Sequence, residues 1–183
     1  MPAPVFLSGD RVTLRPTERE DLDAIREWMN DPAVWRPALD AKPMNGDLAE
    51  EYFERVLVTE DEVHVTVCVD EVPVGHANLT TSQYGPTATE RARSVELAYH
   101  LGSDHHGQGY GSEAAALLVQ YAFEDWNMRR VFARAGDFND ASKALLESLG
   151  FQREGARREA AYYRGDYYDM VLYGLLRGEW DGL

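Results

Sequence analysis

The chain has 183 residues, of which 44% are apolar and 27% charged; its 32 acidic residues against 18 lysines and arginines give a formal net charge of −14. That length and composition fit one globular domain, residues 1–183, with mass enough for one sizeable core, and exclude a disordered chain. So acidic a surface repels phosphate backbones, so no nucleic-acid partner is expected. No apolar run nears the roughly 18 residues needed to cross a bilayer, and Met1-Pro2-Ala3-Pro4-Val5-Phe6-Leu7 lacks the basic start of a secretory signal, so no membrane partner and a cytoplasmic location are expected.

Val12, Thr13 and Leu14 alternate as a short strand that Pro16 ends. Thr17 and Glu20 then have the spacing of a capping box, and Leu22, Ile25 and Met29 follow at helical intervals, so a first helix runs to about Asn30. Asp47 with Glu50 starts a second helix, carrying Leu48, Tyr52 and Val56 on one face. Residues 63–69 are β-branched and apolar, residues 70–73 form a turn, and residues 74–80 return as the second strand of a hairpin. Cys68, the one cysteine, lies in that apolar run; it excludes an internal disulfide framework and a cysteine zinc cage and reads as a small core residue.

The polar residues 81–92, with Gly85-Pro86, read as a loop. Ser94 to Leu101 is the next strand, with Val95, Leu97, Tyr99 and Leu101 on one face and Ser94, Glu96, Ala98 and His100 on the other. A glycine-rich turn, Gly107-Gln108-Gly109-Tyr110-Gly111, leads into a helix over residues 112–125, followed by a strand over residues 130–135. Asn139 caps a further helix, in which Ala141, Leu145 and Leu149 share a face and which Gly150 closes. Two final strands pair across Arg164-Gly165-Asp166. The order of strand, two helices, three strands, helix, strand, helix and two strands is that of an α/β domain with a mixed sheet.

Basic charge is carried almost wholly by arginine, since Lys42 and Lys143 are the only lysines. Abundant acids with so little lysine fit a protein adapted to high salt, where counterions screen self-repulsion; an acidic groove that attracts cationic amines is the other reading.

The most informative segment runs from Glu96 to Glu113. A strand enters three alternate glycines and leaves them as a helix, which makes an anion site: glycine lets the backbone bend close to a ligand, N–H groups point into the turn, and the helix N-terminus adds partial positive charge. Such a turn suits a pyrophosphate. The Gly-x-Gly-x-x-Gly spacing of a dinucleotide fold is absent, and Gly111-Ser112 lacks the lysine of a nucleoside-triphosphate loop. His105-His106 has only Asp104 beside it as a further ligand, so no metal is expected.

His106-Gly107-Gln108-Gly109-Tyr110-Gly111 resembles the coenzyme A motif of the GNAT superfamily, Gln/Arg-x-x-Gly-x-Gly/Ala, with histidine in the first position. Glu96-Leu97-Ala98-Tyr99, Asn139-x-x-Ser142, Leu149-Gly150-Phe151 and Leu14-Arg15-Pro16 resemble, in the same order, the branch of ribosomal-protein alanine N-acetyltransferases, RimJ/RimL-like. The resemblance implies a mixed, mostly antiparallel sheet of about seven strands flanked by about four helices, with a cleft where two central strands splay. It implies an N-acetyltransferase that uses acetyl-CoA as cosubstrate, and a monomer or homodimer. The pyrophosphate would be held from His106 to Ser112, chiefly by backbone N–H groups of Gln108, Gly109, Tyr110 and Gly111, and the pantetheine arm by the backbone of Leu97, Ala98 and Tyr99 and by Asn139. Glu96 is then the candidate base, with a structural ion pair to an arginine as its other reading and His100 as an alternative base. Ser142 is the candidate acid for the departing thiolate, or a solvated helix hydroxyl. Trp28, Trp35, Tyr52 and Phe53, with core packing as the other reading for most of these four, residues 81–92 and the hairpin tip near residues 162–167 would wall the acceptor groove. The acceptor amine is a protein N-terminus or a small molecule; a coenzyme A-binding sensor without turnover is the alternative of a different class.

Overall fold

Capping and turn chemistry set the element boundaries. In the computed structural model, which describes residues 3–39, 42–81 and 93–182, the Asn139 side chain accepts from the Ser142 N–H at 3.1 Å and starts a helix that ends before Gly150, at φ 86°. The strands are β1 (Leu7–Ser8), β2 (Thr13–Pro16), β3 (Val63–Val69), β4 (Val72–Thr81), β5 (Ser94–Leu101), β6 (Arg130–Gly136), β7 (Gln152–Tyr163) and β8 (Asp166–Leu176). The helices are α1 (Leu22–Asn30), α2 (Pro32–Ala38), α3 (Gly46–Tyr52), α4 (Tyr110–Glu124) and α5 (Asp140–Ser148). The strands form a sheet in the order β1-β2-β3-β4-β5-β6-β8-β7. Its β5–β6 pair is parallel, and β1–β2, β2–β3, β6–β8 and β7–β8 are antiparallel. The expected α/β class and mostly antiparallel sheet are present, with one strand (β1) and one helix (α2) beyond those expected.

Residues Met1–Asn78 with Tyr99–Leu117 form one compact unit, and Leu79–Ala98 with Leu118–Leu183 a second. In the first, Val12, Leu14, Ile25, Val65, Val67 and Val74 are buried, and Cys68 is buried as expected. In the second, Leu79, Val95, Leu118, Phe123, Val131, Leu146, Tyr173 and Leu175 fill the core. Each such aliphatic side chain contributes about 2 kcal/mol by leaving water.

Four local expectations are corrected. The capping box is formed by Glu18 and Asp21 rather than Thr17 and Glu20. Asp21 is drawn inward because Arg15 grips it at 2.7 and 2.5 Å and the Thr66 hydroxyl donates to it at 2.9 Å. Burial would raise the Asp21 carboxyl, but Arg15, the Glu18 N–H and Thr66 outweigh it and hold it below the usual carboxylate range. The helix after it is followed by α2, which Asp31 caps with Pro32 in its first turn. In α3 the cap is Asn45, accepting from the Leu48 N–H at 2.9 Å; Ala49 is buried while Leu48 and Val56 are exposed. A π-helical turn over Phe53–Leu57 breaks the spacing that aligned Val56 with Tyr52. In α5 the buried residue is Leu146, not the row of Ala141, Leu145 and Leu149, because the rotation set by the Asn139 cap turns Ala141 to solvent.

Candidate active site

Gly107 at φ 71° and Gly109 at φ 83° hold the turn in the left-handed region, where a Cβ is strained. The α4 ladder begins with the Glu113 N–H donating to the Gly109 carbonyl at 3.1 Å. The N–H groups of Tyr110, Gly111 and Ser112 therefore precede it, as those of a first helical turn do. Residues 106–109 are exposed and Gly111 is buried, so those donors are presented from a firm base. An anion with several acceptor oxygens, such as a pyrophosphate, fits such a cradle.

His106 is tied elsewhere. Its Nε2 lies 3.0 Å from the Leu101 carbonyl, which can only accept, so Nε2 carries the proton and the ring closes the turn onto the end of β5. A guanidinium reaches the turn instead. Arg11 donates through Nε to Glu113 at 3.2 Å and through NH1 to the Gln108 carbonyl at 2.8 Å, and its guanidinium lies 5.3 Å from the Tyr110 ring centre. The Glu113 carboxylate also accepts from the backbone N–H groups of Arg11 and Val12, at 2.7 and 3.1 Å. Partial burial would raise that carboxyl, but those donors hold it below its ordinary range.

The same unit buries a row of histidines. Ring centres are 5.6 Å apart for His64 and His76, 5.5 Å for His76 and His100, and 6.0 Å for His100 and Trp28. His76 is pushed well below its ordinary range by burial and then by its two neighbours, and burial lowers His100 to about 4. Both rings are neutral near pH 7. His100 is thus a weak proton acceptor, with its Nε2 buried and without a hydrogen-bond partner among the described residues.

In the second unit, the β5–β6 ladder pairs only Ser94, Glu96 and the residue between them with Arg130–Phe132, although β6 keeps pairing with β8 through Gly136. Past Glu96, at Leu97 and Ala98, β5 leaves the ladder to β6, a parting of the kind an extended ligand could pair with. Glu96 is paired with Arg134, Nε to Oε1 at 2.6 Å and NH2 to Oε2 at 3.1 Å. Each carboxylate oxygen keeps a further lone pair, and the side chain is 23% exposed, so Glu96 can still accept a further hydrogen bond. Asn139 caps α5 through its oxygen, which leaves its amide NH2 as a donor, and Ser142 stands one turn on, half-buried. A cavity of about 480 Å³ opens beside α5 and contains none of these residues: Asp140, Lys143, Glu147, Arg153 and Tyr173 are among its lining.

Of the acceptor-wall residues, Trp28 is buried in the first unit's helical core and Trp35, Tyr52 and Phe53 are half-buried, whereas Tyr162 and Tyr167 are exposed in the second unit. Residues 82–92 of the expected loop lie outside the described residues. The sequence reading missed Arg11, Glu113 and Arg134; only a charged residue beside each motif signalled them. No group of three or more metal-ligating side chains gathers among the described residues, and no helix there is long and apolar enough to cross a membrane.

Residues 11–152 match the family model described as "Acetyltransferase (GNAT) domain". The chain is 30% identical to the uncharacterized N-acetyltransferase p20 of Bacillus licheniformis, over 96% of this chain and 98% of that protein. It resembles the crystal structure of spermidine N-acetyltransferase from Vibrio cholerae in complex with CoA and spermine, with a TM-score of 0.82 and 22% identity over 93% and 98% of the two chains. RimJ of Mycobacterium smegmatis, in complex with CoA-disulfide, gives a TM-score of 0.73 and 21% identity over 92% and 83%.

Proposed function

From the premise that this chain belongs to the GNAT acetyltransferase family, an N-acetyltransferase with acetyl-CoA as cosubstrate, we propose that residues 1–183 act as one catalytic domain that acetylates a primary amine by direct attack, with no acyl-enzyme. The observation that carries this reading is the pair of open backbone edges: the turn whose N–H groups precede the α4 ladder, and the stretch of β5 past Glu96 that leaves the ladder to β6.

The residues divide the work as follows. Backbone N–H groups of residues 108–112 take the pyrophosphate, and the backbone of Leu97, Ala98 and Tyr99 aligns the pantetheine arm and polarises the thioester carbonyl. The Asn139 amide NH2 donates to the arm. Glu96 accepts a proton from the acceptor ammonium, directly or through one water. The freed amine nitrogen bonds to the acetyl carbon and gives up its second proton to water, the carbon–sulfur bond breaks with its electron pair going to sulfur, and the Ser142 hydroxyl gives the thiolate a proton that solvent restores.

The acceptor we place first is a protein N-terminus, followed by a small amine such as a polyamine. The net charge of −14 supports either, since both are cationic. The test is thermal unfolding in high potassium chloride with acetyl-CoA, NAD or ATP. At about 100 times its dissociation constant a ligand adds roughly 2.7 kcal/mol, several degrees. Stabilisation by acetyl-CoA alone is expected, followed by thiol release on adding a peptide with N-terminal alanine. No stabilisation at any salt would remove the proposal; thiol release with spermidine but no peptide would move the acceptor to the small amines.

A further inference from the structure

A pyrophosphate approaching a protein of net charge −14 gains little from the overall field. Backbone N–H groups supply dipoles at the turn but no full charge. The ring of His106 has its Nε2–H on the Leu101 carbonyl at 3.0 Å. The full positive charge at this turn comes from the other end of the sequence. Arg11, 97 residues before Gln108, hydrogen-bonds that residue's carbonyl and lies so close to Gly109 that a Cβ there would come within 2.9 Å of its NH2.

Two features separate Arg11 from an ordinary surface pair. Glu113 is anchored by the Arg11 and Val12 backbone N–H groups as well as by Nε, so the carboxylate fixes where the start of β2 meets the turn. Arg11 commits Nε and NH1 to the protein while its NH2 donates to no described residue, and the side chain is 53% exposed. A guanidinium fixed at two donors and open at the third suits a phosphate oxygen.

We infer that Arg11 is a coenzyme-binding residue, supplying the charged side-chain donor for the pyrophosphate that the turn at residues 106–112 receives. This rests on the proposed function, which places acetyl-CoA at that turn.

The test is calorimetric titration of the full chain with acetyl-CoA for the wild type, R11Q, R11K and E113Q, with unliganded melting recorded for each. The charge role predicts opposite signs across one ion pair. R11Q binds about tenfold more weakly, the effect of losing one charged hydrogen bond. E113Q removes a negative charge from beside the site and keeps or tightens binding, and R11K, which keeps the charge without the fork, loses about threefold. A clasp that only shapes the turn predicts that R11Q and E113Q weaken binding alike. Less than a fivefold gap between them overturns the inference and leaves the proposed function standing. If R11Q does not fold, E113Q decides alone: weakened binding overturns the inference, and unchanged or tighter binding supports it. A wild type that does not bind acetyl-CoA overturns the proposed function and this inference together.

Discussion

The turn at residues 106–112 and the Glu96–Arg134 end of β5 offer a ligand different kinds of group. The turn presents main-chain N–H groups held in place by two glycines at positive φ, so its chemistry depends on backbone conformation and survives most changes of neighbouring side chain. At Glu96, and at Asn139 and Ser142, the groups we propose to work are side chains, one of them already paired with an arginine. Backbone sites should therefore fail through strain and chiefly in affinity. Side-chain sites should fail through chemistry and chiefly in rate.

Four experiments press on that difference. The largest effect is expected from Glu96→Gln, which keeps the shape and removes the proton acceptor: kcat falls about 100-fold with little change in acetyl-CoA affinity. Steady-state kinetics check it, and a loss below threefold would leave Glu96 as a structural partner of Arg134. Gly109→Val comes next. A β-branched residue at φ 83°, with its Cβ 2.9 Å from Arg11 NH2, costs about 2 kcal/mol and weakens acetyl-CoA binding more than tenfold, read by titration. Wild-type affinity in that variant would break the backbone half of the comparison.

The third effect belongs to the buried histidines. The folded state holds His100 near 4 against an ordinary 6.5, so the unfolded chain takes up the proton first. Stability then falls as pH drops below about 6.5 and levels off near 4, and raising the pH above 7 changes nothing. Between pH 7 and 5.5 His100 accounts for about 1 kcal/mol, with His76 acting in the same direction. Urea titration at the two pH values should show it, and His100→Leu should reduce it. The smallest effect is at Asn139. Replacement by Ala removes the α5 cap and costs about 1 kcal/mol in melting experiments. Asn139→Asp keeps the cap but lacks the amide donor, so a normal melting temperature with weaker acetyl-CoA binding would separate the two roles of that residue.

What the sequence reveals here depends on how far the controlling partner lies along the chain. Gly107, Gly109 and the Asn139 cap are decided within about three residues, and all three were legible. So were the extent of β5 and the order of the elements other than β1 and α2, because alternation and turn residues are local signals. Glu113 finds Arg11 across 102 residues and Glu96 finds Arg134 across 38, and nothing in either segment names its partner. The same reason misplaced the first capping box: Thr17 and Glu20 had the right spacing, but Asp21 was selected by Arg15 and by Thr66, 45 residues away. The short helix α2 escaped notice because Pro32 and Pro37 interrupt the periodicity that would have revealed it. An ion pair at Glu96 was foreseen in kind, but not the arginine that makes it.

The buried position of Cys68 has a practical consequence for measuring turnover. Acetyl transfer frees one thiol per cycle, and a colorimetric thiol reagent would count it, provided the protein adds no thiol of its own. Cys68 is the only cysteine, is 1% exposed, and burial pushes its thiol above the ordinary range, so in the folded protein it is both shielded and protonated. The native enzyme should therefore be silent to the reagent, and the colour should track coenzyme A alone. The same thiol would become a one-to-one reporter of unfolding once the β3 core opens, so a single reagent could read catalysis in one buffer and stability in another.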